Sequence, residues 1–269
     1  MKPIGFRIGV IMAISDEIRQ EKQKAKNMSL KGKLSYFWDY YKIHTIVVIV
    51  AVFLITAIIR DISSAKEYAF YGIYFNAMQT FSADGQMEDF SGYLGIDTEN
   101  YQALLDSSMY YSLTDLSETT LASSQKFAAM IHAGEVDIVV ADEDVFANYA
   151  VNEIFYDLRE ILPEDLLEKY KDDIFYIDCA QIEAYSGDDY LEYEDDQEYY
   201  KELEKTFTDH HDPSDLEDPI PFGIYVGDTP VITESGCYPQ SVPVFGIVRN
   251  TSRPDTAVKY LRFLGGEME

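Results

Sequence analysis

Residues Ile43 to Ile59 (IHTIVVIVAVFLITAII) run for 17 positions without Asp, Glu, Lys or Arg. This run constrains the chain more than any other feature. A helix of that length spans roughly 25 Å at about 1.5 Å per residue, the lower limit for a bilayer core. A core helix of a soluble domain seldom lacks a polar face for so long. Tyr36, Phe37, Trp38, Tyr40 and Tyr41 stand where an interfacial aromatic belt would, and Lys42 and Arg60 flank the run in position to snorkel. A cleaved signal peptide would want a shorter apolar stretch and an A-x-A-like site, for which Ser63-Ser64-Ala65 is a poor match. The reading is a retained transmembrane helix over 43–60. No cysteine lies nearby to carry a lipid instead.

Charge divides the chain at the same place. The 269 residues carry a net charge of −27, but residues 1–42 hold nine bases against four acids and residues 65–269 hold eleven bases against 43 acids. The basic flank, with Lys22, Lys24, Lys26, Lys31, Lys33 and Lys42, places the N-terminus in the cytoplasm by the positive-inside rule. The organisation expected is a basic cytoplasmic segment over 1–42, the membrane helix, a linker over 61–67, and an extracytoplasmic domain over 68–269. Ile4 to Ile14 is apolar but too short to span, and reads either as an interfacial helix or as sequence upstream of a second start at Met28. The acidic surface excludes a nucleic-acid partner, since phosphate would be repelled along most of it.

Within the outer domain, apolar runs alternate with helical periodicity. Tyr68 to Phe75 (YAFYGIYF) predicts a strand buried on both faces, Leu104 to Leu113 a second strand, and Asp137 to Asp142 (DIVVAD) a short central one bounded by acids, with Asp137 at its entry. Ile174–Ile182, Ile220–Val226 and Val242–Val248 predict three more. Helices are predicted over Gln86–Leu94, Asp144–Ala150 and Pro163–Tyr170. Another starts at an Asp115/Glu118 cap, carries Leu113, Leu116, Thr120, Phe127 and Ile131 on one face, and stops at Gly134. A last one is opened by Thr251 or Ser252 with Pro254 and is closed by Gly265-Gly266. This order predicts an α/β fold with a mostly parallel sheet and flanking helices.

Three segments resemble type 2 extracellular solute-binding proteins, the capture subunits of ABC importers. They are Lys126 to Asp142 (KFAAMIHAGEVDIVVAD), Phe155 to Pro163 (FYDLREILP) and Val244 to Leu264 (VFGIVRNTSRPDTAVKYLRFL). Together they cover about 50 of some 205 residues. The resemblance implies a lobe that helps capture a solute and hand it to a transporter. Family members commonly have two lobes of similar size. Here the middle is short and acidic, which implies a reduced second lobe.

Candidate sites are few. In open α/β sheets, ligands sit beyond the C-terminal ends of strands. That rule selects Asn76 after the first strand and Asp142 at the end of the third, with Tyr110 and Tyr111 near enough to stack on a ring. Residues 183–218 hold fifteen acids and two lysines, with tyrosines interleaved at 185, 190, 193, 199 and 200. No EF-hand order is present there, so a solvated insertion is the simpler reading. His210-His211 lacks a clear third metal ligand, and His132, near the end of a helix before Gly134, reads as a partner of the helix dipole rather than a catalytic group. Cys179 and Cys237 are either a disulfide permitted by an oxidising exterior or two buried thiols. No G-x-S-x-G, H-E-x-x-H or P-loop occurs. The expectation is a non-enzymatic membrane protein without cofactor. It is either a solute-binding accessory of a transporter or an envelope interaction protein that has lost the ligand cleft.

Overall fold

The computed structural model describes residues 29–64, 66–114, 117–186 and 210–267. Ile4–Ile14, Met28, Asp115, Leu116 and most of the acidic insertion (187–209) lie outside these. The chain divides into two units after residue 65, each described by itself. In the first, helix α1 runs unbroken over Leu30–Ser64, so residues 61–64 extend the helix rather than forming a linker. Its stretch Tyr41–Arg60 has a mean hydropathy of 2.5 and none of it is buried within the protein. One exposed helix of this length and composition is sufficient for a single membrane span.

The second unit is a six-stranded sheet with helices on both faces. Strands β1 (Glu67–Tyr74), β2 (Tyr101–Asp106), β3 (Ile138–Asp142), β4 (Ile174–Asp178), β5 (Pro219–Tyr225) and β6 (Pro243–Ile247) lie in the order β2-β1-β3-β6-β5-β4. β1 pairs in parallel with β2 and β3, while β6, β5 and β4 continue the sheet antiparallel. The sheet is therefore mixed, not mostly parallel. Continuous apolar runs announce burial on both faces but carry no strand direction, which is why the antiparallel half could not be read from them.

One face carries α2 (Asp84–Leu94), α5 (Leu158–Ile161), α6 (Glu164–Lys169), α8 (Pro230–Ser235) and α9 (Pro254–Leu264). There Phe70, Phe90, Tyr260 and Phe263 pack as an aromatic cluster with Tyr74, Val140 and Phe245. The other face carries α3 (Glu118–Ala133), α4 (Glu143–Ala150) and α7 (Cys179–Ser186), over Ile73, Phe75, Val139 and Val244. Phe146 of α4 lies flat on Phe155, with centroids 4.3 Å apart, above Gly223 and Gly246. A Cβ at either glycine would stand 2.7 Å from that ring, so only glycine lets α4 settle onto β5 and β6.

Several element boundaries differ from expectation. β2 begins at Tyr101 and stops at Asp106, whose carboxylate accepts from Ser108 N–H and turns the chain out of the sheet. β4 stops at Asp178, and α7 follows where the strand was expected to continue to Ile182. Helix α3 is capped by Ser117, whose Oγ accepts from Thr120 N–H, so Leu113 precedes the helix and is exposed. Thr251 does not cap α9. Its hydroxyl accepts from Arg253 N–H and donates to Asp137, and Pro254 opens the helix.

That last contact belongs to a buried knot. The side chain of Asp137 is fully buried at the start of β3. It accepts from Tyr71 N–H at 2.7 Å, from Thr251 Oγ1 and from Arg253 Nε at 2.9 Å. Burial pushes its carboxyl upward, and the three donors pull it back. Arg253 also donates to the Glu135 carbonyl, so β1, β3 and the loop into α9 are joined at one point. Arg253→Met would strand an unpaired carboxylate in the core. It should cost about 3 kcal/mol, at the lower end for a broken buried pair because Arg253 keeps some exposure. Urea unfolding of the full chain in detergent measures this.

At the far edge, Asp178 accepts from the backbone N–H groups of Glu217, Asp218 and Ala180. These bonds, led by that from Glu217, hold its carboxyl below the usual range. A depressed carboxyl stabilises the fold above its unfolded value near pH 4 and loses that contribution as pH falls further. Asp178→Ala should therefore destabilise at pH 7 by about 1 kcal/mol. The gap from the native chain should close progressively below about pH 4 in unfolding curves taken across that range.

Candidate functional site

In the order β2-β1-β3 the chain leaves β1 toward one neighbour and returns on the other side. The C-terminal ends of β1 and β3 therefore form the switch point where α/β folds place a ligand. Asn76 stands two residues beyond β1, with φ of 57°, a left-handed conformation that asparagine tolerates better than most residues. Its Nδ2 donates to Asp142 Oδ2 and to the Tyr111 carbonyl, both at 2.9 Å, and its Oδ1 accepts from Tyr111 N–H at 3.0 Å. Three of the four residues chosen from sequence thus converge. Tyr111 Oη donates to Asn148 of α4, and its ring lies 5.3 Å from that of Tyr149. Tyr110 does not join them. It is exposed, and its N–H donates to Ser123 Oγ of α3.

The convergence is inward. Both amide hydrogens and the amide oxygen of Asn76 are engaged by the protein itself. From the opposite face Tyr238 fills the same crevice. Its hydroxyl lies 2.7 Å from the Phe75 carbonyl and 3.1 Å from that of Val140, bridging the ends of β1 and β3. Complete burial holds that phenol well above its usual range, so it stays protonated and donating. Tyr225 at the end of β5 donates to Glu143 at 2.8 Å. Asp173, before β4, is pushed upward by burial and then by Asp172 and Asp228. The rim is acidic and tyrosine-rich, and its centre is closed.

Tyr225 and Tyr238 carry no sequence signal for this place. Their position depends on β5 and β6 running antiparallel, which apolar runs do not reveal.

The remaining candidates are apart from this point. His210 is buried, stacked on Phe175, with Nδ1 2.8 Å from the Tyr176 carbonyl, while His211 lies flat on Tyr225. The two rings diverge onto different partners. Among the described residues no group of three or more His, Cys, Asp or Glu side chains is arranged to hold a metal ion. His132 sits in the last turn of α3 before Gly134, the left-handed cap. Cys179 and Cys237 are not bonded to each other. Cys179 follows β4, whereas the Cys237 carbonyl accepts from Met78 N–H beyond β1 and Tyr238 spans β1 and β3. Three or four strand spacings separate these places, roughly 14–19 Å at about 4.8 Å each, beyond any disulfide.

The chain matches no known family model, no curated protein and no solved structure. The likeness to solute-binding proteins rests on the three sequence segments alone.

Asn76→Gly keeps the left-handed backbone and removes the clamp. It should accelerate amide hydrogen exchange at Tyr111, read by mass spectrometry of peptides over 107–114. Asn76→Ala adds backbone strain and should destabilise further, by about 1 kcal/mol relative to glycine.

Proposed function

We propose that this is a non-catalytic, membrane-anchored interaction domain of the cell envelope. In this reading the Tyr41–Arg60 helix is the anchor, the basic N-terminal segment is cytoplasmic, and the acidic α/β unit acts outside the membrane. One observation carries it. At the β1/β3 switch point, where a solute would bind, Asn76 is bonded to Tyr111 and Asp142, and Tyr238 fills the other side by bonding the Phe75 and Val140 carbonyls. A binding domain with this centre closed must use its outer surfaces instead. The acidic surface suits a basic partner protein, through steering as much as through contact.

Solute capture as an accessory of an ABC importer is the second reading. It is favoured by the three segments that resemble solute-binding proteins and by the concentration of polar groups at strand ends. A thermal-shift screen of the full chain in detergent separates the two, using sugars, amino acids, short peptides and divalent cations. A true solute at 100 times its dissociation constant adds about 2.7 kcal/mol, or roughly 5–10 °C for a domain of this size. The interaction reading expects no free sugar, amino acid or cation to shift the midpoint. A saturable shift with one such class, abolished by Asp142→Ala, would replace it with capture.

A further inference from the structure

We infer that the open edge of β2 is a docking site for an extended, lysine- or arginine-bearing peptide of a partner protein, which would add as a seventh strand. The two edges of the sheet are treated differently. At β4 the returning chain and the helix that follows seal the edge: Tyr176 N–H donates to the His210 carbonyl, the His210 ring holds the Tyr176 carbonyl, and Asp178 N–H donates to Gln181 Oε1. At β2 no such cover exists among the described residues.

The bond from Glu67 N–H to the Asn100 carbonyl sets the alternation, so Gln102 and Leu104 face β1. Ala103 and Leu105 turn their N–H and carbonyl groups outward. The strand (YQALLD) has no proline and no lysine of the kind that blunts an exposed edge.

Beside this edge runs a groove of about 500 Å³, floored by Ala103 and Leu105 and walled by Glu88, Ser91 and Gly92 of α2. It continues past Asp84 into a second hollow of about 330 Å³ that reaches Asp106. Gly92 lies inside helix α2, yet a Cβ there would meet nothing within 4 Å. Glycine costs an exposed helix about 1 kcal/mol relative to alanine, and packing within this domain gives no return for it. A backbone lying close against α2 would. Strand addition beside a helix gives affinity through main-chain bonds and selectivity through the groove.

Charge selects the occupant. Of the charged residues that line the groove, Asp84 and Glu88 are exposed acids and Lys66, whose Nζ donates to the Thr98 carbonyl, is the one base; Glu88 has no ion-pair partner among the described residues. Residues 65–269 carry eleven bases against 43 acids, which repels a second copy and attracts a basic strand. This inference rests on the interaction reading and names its surface.

The test uses the full chain in zwitterionic nanodiscs and a fluorescent, end-capped octapeptide alternating valine with lysine. Anisotropy should show saturable binding. Affinity should fall about tenfold or more when glutamate replaces lysine, and likewise when alternate peptide amides are N-methylated. Ala103→Pro removes an outward N–H without touching the β1 pairing, and Gly92→Leu fills the groove from open space. Each should weaken binding by about tenfold with the unfolding midpoint retained. Absence of saturable binding, or equal binding by both variants, would overturn the proposal, the latter showing mere attraction to an acidic surface. Self-association of the chain that Ala103→Pro abolishes would overturn the choice of occupant. None of these results bears on the solute screen, which decides the interaction reading separately.

Discussion

The sheet unit depends on the burial of a single carboxylate. Asp137 accepts from Tyr71 N–H, Thr251 and Arg253, and so ties the middle of β1 and the start of β3 to the segment between β6 and α9. These pieces are 66 and more than 110 residues apart in sequence. A charge in that position is tolerated only because each donor is in place, which makes the knot a condition on correct assembly rather than a source of surplus stability. Once β1 and β3 are aligned by it, their C-terminal ends and everything at the switch point follow.

Most of the elements were legible from periodicity and punctuation. The run IVVAD, the glycine after α3 and the proline opening α9 each signal one backbone state through local sterics, and each stands where expected. What was not legible depends on distant partners. The strand direction of β4 to β6 is set by pairing, and a buried run looks the same in either direction. Asp137 reads locally as the residue ahead of a strand, and nothing near it discloses Arg253. The end of β2 was misjudged because LLDSSMYYSL is apolar enough to extend, while the turn is made by an Asp106 side chain accepting from Ser108.

The candidate site shows the same division. The strand-end rule found Asn76, Asp142 and Tyr111 because it needs only the order of elements. It did not find Tyr238, which arrives from a loop after α8 and closes the crevice from the other face. Proximity at a switch point is therefore not by itself a cleft. Here Asn76, Asp142 and Tyr111 are bonded together, and Tyr238 is bonded to the carbonyls of Phe75 and Val140.

The sealing of β4 by His210 limits how far any such association can proceed. A sheet with two bare edges can be extended from both sides, and copies can then add in a row without end. Among the described residues this sheet offers only one bare edge. Two copies that paired through it would each use their one bare edge, and no second edge of the chain's own sheet would remain. Edge-to-edge growth would stop at a single addition, so a surface well suited to capture need not nucleate a fibre.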